Sequence, residues 1–242
     1  MTYAAEYIEL EEKLKNELRR VAYPERRTVK VATTARGGSY IGNRTAAFLA
    51  THSDIQLEYL DMSVVECESA LESEIIDLAI YTDPVISDKI EYMPLEVDPL
   101  VLAVPRNSKM LENKDISNNN FTSLLELTPE ELRNPEITYV LSTENHSLYY
   151  AECNFLKKYK INPVQSLRVD FVDTRYSIAC SGVGIVLVPT ATIRENKDKD
   201  KMAYCTVKGE SLYRYIVIAK KKGKILSQEA EKVWRFMIEQ RF

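Results

Sequence analysis

The stretch Cys180-Ser181-Gly182-Val183-Gly184-Ile185-Val186-Leu187-Val188-Pro189 decides the architecture of this chain. Only seven glycines occur in 242 residues, and two of them stand inside this one pattern. It reads as a helix end turning sharply into a buried strand. Gly182 suits the left-handed position just past a helix, and Gly184 lets two backbones approach closely. Ile185 to Val188 are strand formers with no polar face, and Pro189 ends the strand. A strand apolar on both faces must be covered on both, which is the α/β arrangement of helices on a largely parallel sheet.

A second unit upstream has the same plan. Thr28 to Thr33 alternates as a strand, and Thr34-Ala35-Arg36-Gly37-Gly38-Ser39 reads as a flexible turn with capping residues. Ile41, Thr45, Phe48 and Leu49 then follow helical spacing. Ile55 to Leu60 alternates again, Val64 to Leu71 is helical, and Ile75 to Tyr81 is a short apolar strand. The order is βαβαβ, half of a Rossmann-like sheet.

With residues 29–83, the run Met93 to Arg106 ("MPLEVDPLVLAVPR") and "SIACSGVGIVLVP" at 177–189, the chain resembles the effector-binding region of LysR-type transcriptional regulators over nearly its whole length. Met1 to Tyr7 resembles the place where that family's DNA-binding wing ends and its linker helix begins. Two residues depart from the pattern, one of them Val64, which stands where a hydroxyl would serve a polar effector better. Glu74 stands where these regulators usually carry Gly before the "DLAI" strand, leaving that helix end less well capped. The resemblance implies an α/β fold of two Rossmann-like lobes joined by two crossover strands, like periplasmic binding proteins of type II, with an N-terminal linker helix. The expected division is residues 1–23 as linker and dimerisation helix, 24–98 plus 205–242 as regulatory lobe I, and 99–204 as regulatory lobe II.

Composition narrows the function classes. Lys and Arg number 32 against 36 Asp and Glu, a net charge of −4, which argues against a nucleic-acid surface on this chain. DNA contact is expected only through a winged helix-turn-helix outside these residues. The basic run Lys220-Lys221-Lys222-Gly223-Lys224 reads as a solvated turn before the last helix. No apolar run approaches the roughly 20 residues of a membrane span, and the acidic N-terminus does not look like a signal peptide. Cys67, Cys153, Cys180 and Cys205 are scattered, so neither a disulfide nor a zinc site is expected, and a reducing cytoplasm fits. No cofactor is called for.

From Ala4 to Val21, Tyr7, Leu10, Leu14, Leu18 and Val21 form a narrow stripe spaced three and four apart, which wants a partner helix. A homodimer or tetramer through this helix and the regulatory lobes is expected. Further along, Pro94 and Pro99 make Ile90 to Val104 a crossing rather than a central strand. Thr122 and Thr128 are expected to cap short helices, Ile137 to Leu141 forms a strand, and Ser147 to Tyr159 a helix. Leu167 to Phe171 is the next strand, and Asp173 or Thr174 caps the helix that ends at Gly182. Strands at Ala203 to Val207 and Leu212 to Ala219 and a helix from Ser227 to Arg241 close the chain.

No catalytic constellation stands out. The two histidines, His52 and His146, lie in no metal-ligand spacing and beside no nucleophile motif. Binding is the stronger case, because in parallel α/β sheets ligands lie beyond the carboxyl ends of strands, facing helix N-termini. Three such corners can be read: Thr33, Thr34, Arg36, Gly37 and Ser39 after the first strand; Ser63 and Val64 after the second; and Thr143, Asn145, His146 and Ser147 in the other lobe. Together they are expected to line a cleft between the lobes suited to a small anion, the position where the resembling family holds its effectors. Thr34, Ser39, Ser63 and Ser147 serve equally well as plain helix caps, and Arg36 as a solvated charge. His146, placed at that cleft, is expected to make binding vary with pH. The leading reading is therefore an effector-sensing and oligomerising region that does no catalysis. A periplasmic-type solute receptor shares the topology, and a lyase on the same clamshell would need an acid-base pair for which only Glu144 and His146 offer themselves.

Overall fold

The computed structural model describes residue 11 and residues 27–144, 146–194 and 196–240. The expected linker helix over 1–23 lies outside these residues, residue 11 apart. In chain order the elements are β1 (Arg27–Thr33), α1 (Ala35–Thr51), β2 (Ile55–Asp61), α2 (Val64–Glu72), β3 (Leu78–Thr82) and β4 (Ile90–Pro105). Then come β5 (Leu125–Leu127), α3 (Pro129–Leu132), β6 (Thr138–Ser142), α4 (Tyr149–Lys158), β7 (Gln165–Val169) and α5 (Val172–Cys180). The chain closes with β8 (Val186–Pro189), α6 (Thr190–Arg194), β9 (Met202–Val207), β10 (Tyr213–Lys221) and α7 (Gln228–Glu239).

Two compact units share this chain. Unit 1 runs to Val97 and resumes at Tyr215; unit 2 is Asp98–Arg214. The return to unit 1 thus comes about ten residues later than the expected 205, because β9 pairs with β4 and with β5 inside unit 2.

In unit 1 the strand order is β2-β1-β3-β10, parallel except for β10. Alternation along β3 sorts its side chains onto two layers. Leu78 and Ile80 join Val29, Val31, Ile216, Phe48, Trp234 and Met237, the contribution of α1 and α7. Ala79 and Tyr81 join Ala32, Val217, Val64, Cys67 and Leu71 on the α2 side.

In unit 2, β4 lies between β8 and β9, antiparallel to both, and β5 lies parallel to β9. β4 is the expected crossing, since the boundary between the units falls within it after Val97, and from Leu100 onward it is also a central strand; both prolines lie before the stretch paired with β8 and β9. β6 and β7 pair in parallel, and Ile185 ties β6 to the start of β8 through Val140 N–H and Thr138 carbonyl, both at 2.9 Å. Leu100, Leu102, Leu141 and Leu187 share one buried layer with Leu148 and Phe155, while Val101, Ala103, Val140 and Val188 share the other with Tyr176 and Ala179.

The deciding stretch behaves as its residues require. Gly182 has φ 92° past the end of α5, and a Cβ on Gly184 would overlap the Thr138 carbonyl, where β6 passes. The glycine missing before β3 is also explained. Glu74 itself takes the left-handed conformation, φ 60°, and Ile75 N–H bonds Ala70 O at 3.0 Å while Glu74 N–H bonds Leu71 O at 3.1 Å. These are the two bonds of a Schellman ending, so the helix is capped at the cost of a strained non-glycine residue. Ile75 and Ile76 are spent on that ending, so β3 starts at Leu78 rather than at Ile75.

Three local expectations are corrected. Gly37, Gly38 and Ser39 lie within the first turns of α1 rather than in a flexible turn. Thr122 caps no helix; its N–H and hydroxyl both donate to Asn120 Oδ1, a side-chain turn. Phe171, without a side-chain cap, precedes α5, and Asp173 sits inside its first turn.

Candidate functional site

The first corner of unit 1 is made by β1 running straight into α1. Thr34 is the cap, extended at φ −83° and ψ 165°, and its hydroxyl accepts from Gly37 N–H at 3.4 Å. Gly37 is required by packing: a Cβ there would overlap the Ile80 carbonyl, so only glycine lets the start of α1 rest on β3. Thr33 is buried, its hydroxyl donating to Thr34 O at 3.0 Å and its carbonyl accepting from Met62 N–H at 3.0 Å. Ser39 is exposed and donates back to Ala35 O at 3.1 Å, so it is not a cap. Arg36 is half-buried on the first turn of α1, where the positive end of the helix dipole and its own charge both favour an anion.

The second corner works differently. Ser63 caps α2 in a closed capping box: its hydroxyl accepts from Glu66 N–H at 3.3 Å, and Glu66 accepts from Ser63 N–H at 2.8 Å. That bond holds the Glu66 carboxyl below its usual range. A carboxylate already satisfies this helix start and would repel a second anion. Val64 is buried in the α2 layer of the core and presents nothing to a ligand.

In unit 2, the parallel ends of β6 and β7 place Thr143 and Asp170 side by side, with the hydroxyl donating to Asp170 at 2.6 Å. Asn145 lies outside the described residues. His146 begins the approach to α4. Its carbonyl accepts from Tyr149 N–H at 3.0 Å, and its Nδ1 accepts from Leu148 N–H at 3.1 Å and faces Arg175 Nη2 at 3.4 Å. Ser147 does not cap α4, whose N-cap is Leu148 with no side-chain bond; the Ser147 carbonyl instead accepts from Arg214 Nη1 at 3.1 Å.

Behind this corner lies a buried polar network that the sequence reading did not contain. Ser142 gives both its N–H, at 2.7 Å, and its hydroxyl to Glu152, whose other oxygen meets Arg175. Arg214 pairs with Asp98 at 2.9 Å, and both are buried. One signal for the first pair was available: Glu152 stands at helical spacing between Leu148 and Phe155, both buried, so a carboxylate falls on the inward face of α4. Burial raises the Glu152 carboxyl and lowers the Arg175 guanidinium, and their attraction opposes both shifts. Burial, then the charges of Arg175 and Arg214, push His146 down to about 4. His146 is thus neutral at physiological pH, against the expectation that it would make binding pH-sensitive. Glu144 bonds Tyr149 Oη at 3.4 Å rather than His146, so the two do not form the acid-base pair a lyase would need. Among the described residues no group of three or more His, Cys, Asp or Glu side chains is placed to hold a metal, and no helix is long and apolar enough to cross a membrane.

Comparison with known proteins agrees with this architecture. The effector-binding domain of QuiR in complex with shikimate superposes with a TM-score of 0.69 at 15% identity, covering 88% of this chain and 95% of that one. The BenM effector-binding domain with its effector benzoate gives 0.66 at 16% identity, covering 89% and 91%. In sequence, the uncharacterized HTH-type transcriptional regulator YcgK of Bacillus subtilis (strain 168) is 20% identical over 161 residues, 62% of this chain and 48% of YcgK. The chain therefore spans about half the length of the curated relative it matches. The model of the LysR substrate-binding domain matches residues 23–241, and the chain belongs to that family.

Proposed function

We propose that this chain is the effector-sensing part of a LysR-type transcriptional regulator, that its effector is a small anion, and that it acts in the cytoplasm by binding rather than by catalysis. The observation that carries the anionic reading is the first corner of unit 1, where Arg36 stands on the first turn of a 17-residue helix whose close seat on β3 depends on Gly37. Helix dipole and guanidinium favour negative charge at the same end of α1. Shikimate and benzoate, named with the two structural relatives, are both carboxylates. Thr33, Thr34, Gly37 and Ser39 shape that corner, and Thr143, His146 and Ser147 are the corresponding polar group of unit 2. Ser63 and Val64 serve capping and core, so the second corner contributes shape rather than charge.

The effector biases an equilibrium between conformations by its differential affinity for them, and protomers paired through the segment 1–23 pass that bias to DNA-binding domains outside this chain. A thermal-shift screen of small carboxylates, amino acids, phosphate and sulfate tests the reading. A ligand at 100 times its dissociation constant adds about 2.7 kcal/mol. The expected result is stabilisation by a carboxylate that weakens in R36A, with no turnover of the ligand. A hit indifferent to R36A would sink the anion site at α1, and no hit would sink the effector reading for those classes.

A further inference from the structure

His146 has two ring nitrogens, and the structure treats them differently. Nδ1 receives Leu148 N–H at 3.1 Å and Arg175 Nη2 at 3.4 Å. A backbone amide and a guanidinium have only hydrogens to give, so a proton on Nδ1 would meet two donors head-on. Nδ1 is therefore the bare, accepting nitrogen, and the hydrogen of the neutral ring sits on Nε2. Nε2 makes no hydrogen bond among the described residues, and the residue is half-buried, leaving this one N–H open.

The groups around the ring hold it in that state. Arg175 on α5 is kept in place by Glu152 on α4, which is itself anchored by the backbone and hydroxyl of Ser142 at the end of β6. Arg214 at the start of β10, paired with Asp98 on β4, is the second guanidinium acting on the ring. Both positive charges oppose a further proton. Asp170, beyond β7, favours one but is engaged by Thr143; Glu144 of the same loop is exposed and bonded to Tyr149. With each arginine already matched to a carboxylate, this corner offers hydrogen-bonding groups more than unmatched charge.

We infer that His146 is a specificity-determining residue, locked by Leu148 and the Glu152–Arg175 pair as the Nε2–H tautomer, which offers one pH-independent donor to an acceptor oxygen of the effector. The inference rests on the effector-sensing reading for its ligand and on geometry alone for its tautomer. Effectors with a carboxylate, carbonyl or hydroxyl oxygen at that point are accepted, and those that place an ammonium or amide N–H there are rejected because two donors face each other.

The test begins on the free protein. The chain has two histidines, so a two-bond proton–nitrogen correlation spectrum of the 15N-labelled protein, assigned with H52Q, reads both tautomers directly. Between pH 5.5 and 8, His146 should show an unprotonated Nδ1, a protonated Nε2 and no titration. A protonated Nδ1, or a midpoint inside that range, would overturn the lock. Benzoate is then added as the probe. Stabilisation kept at least partly in H146Q, which can still donate at the Nε2 position, and lost in H146F supports the donor role; equal loss in both overturns it. Failure of benzoate to bind the wild type would count against the effector reading instead, and the free-protein spectrum would still decide the tautomer.

Discussion

Glu152 on α4 and Arg175 on α5 meet in the interior of unit 2 with 3% and 0% of their side chains exposed. Two charges removed from water are held by each other and by Ser142, and the pair links two neighbouring helices to the end of β6. Losing one partner leaves the other charged and unsolvated. R175A or E152A should each cost about 3–5 kcal/mol, a fall in melting temperature on the order of 10 °C for a chain of this size. The double substitution E152L/R175M, apolar and of similar volume, should recover most of that loss. Additive losses in the double variant, seen by urea unfolding, would show that the pair is not coupled.

Stability should also carry a pH signature from His146. Its pKa is about 4 in the folded chain against 6.5 for the unfolded reference, so at low pH the unfolded chain binds the extra proton. The contribution is complete above pH 6.5 and is lost as pH falls toward 4. For a half-buried ring it amounts to roughly 2–3 kcal/mol. H146N keeps an acceptor near Nδ1 and cannot titrate. The difference in unfolding free energy between wild type and H146N should therefore shrink or change sign from pH 7 to pH 5; a difference flat across that range would contradict the assigned pKa.

At the end of α2, Glu74 holds a left-handed conformation that glycine adopts without strain. E74G should raise stability by about 0.5–1 kcal/mol, reduced by loss of the exposed ion pair to Lys221 at 2.6 Å, which contributes little in solvent. Chemical denaturation of the two chains decides it, and a clear loss of stability in E74G would mean that the ion pair outweighs the strain.

Two glycines of α1 should respond oppositely to the same change. Gly42 lies in the helix interior with open space where a Cβ would go, so G42A should gain up to about 1 kcal/mol from helix propensity. Gly37 faces the Ile80 carbonyl, a backbone atom that cannot move aside cheaply, so G37A should lose stability and weaken any ligand of the unit 1 corner. If G37A behaved like G42A in a melting experiment, the close seat of α1 on β3 would be wrong.

Much of the fold was legible because its causes are local. Alternation marked β1 and β2, the apolar run 185–188 marked β8, helical spacing marked α2 and α7, and Thr34, Ser63, Thr128 and Ser227 announced helix starts through side chains that bond amides three residues on. The departure at Glu74 was located through the resemblance, which puts Gly at that position, and the structure supplies the reason: a Schellman ending needs its left-handed residue there. Helices that begin without a side-chain cap, α4 after Leu148 and α5 after Phe171, left no such mark, and their expected caps were misplaced.

What stayed hidden was set by distance along the chain. Asp98 and Arg214 are 116 residues apart and Glu152 and Arg175 23, so local periodicity, which turns Glu152 inward, names the partner in neither pair. The residue types at the corners could be named from strand ends and turns. Whether a hydroxyl is spent on a cap, whether Val64 faces core or ligand, and which nitrogen of His146 carries the proton depend on which backbones and charges the folded sheet brings within 3–4 Å. Such close-range contacts exist only once distant segments have packed, because hydrogen bonding and desolvation act through space and not along the sequence.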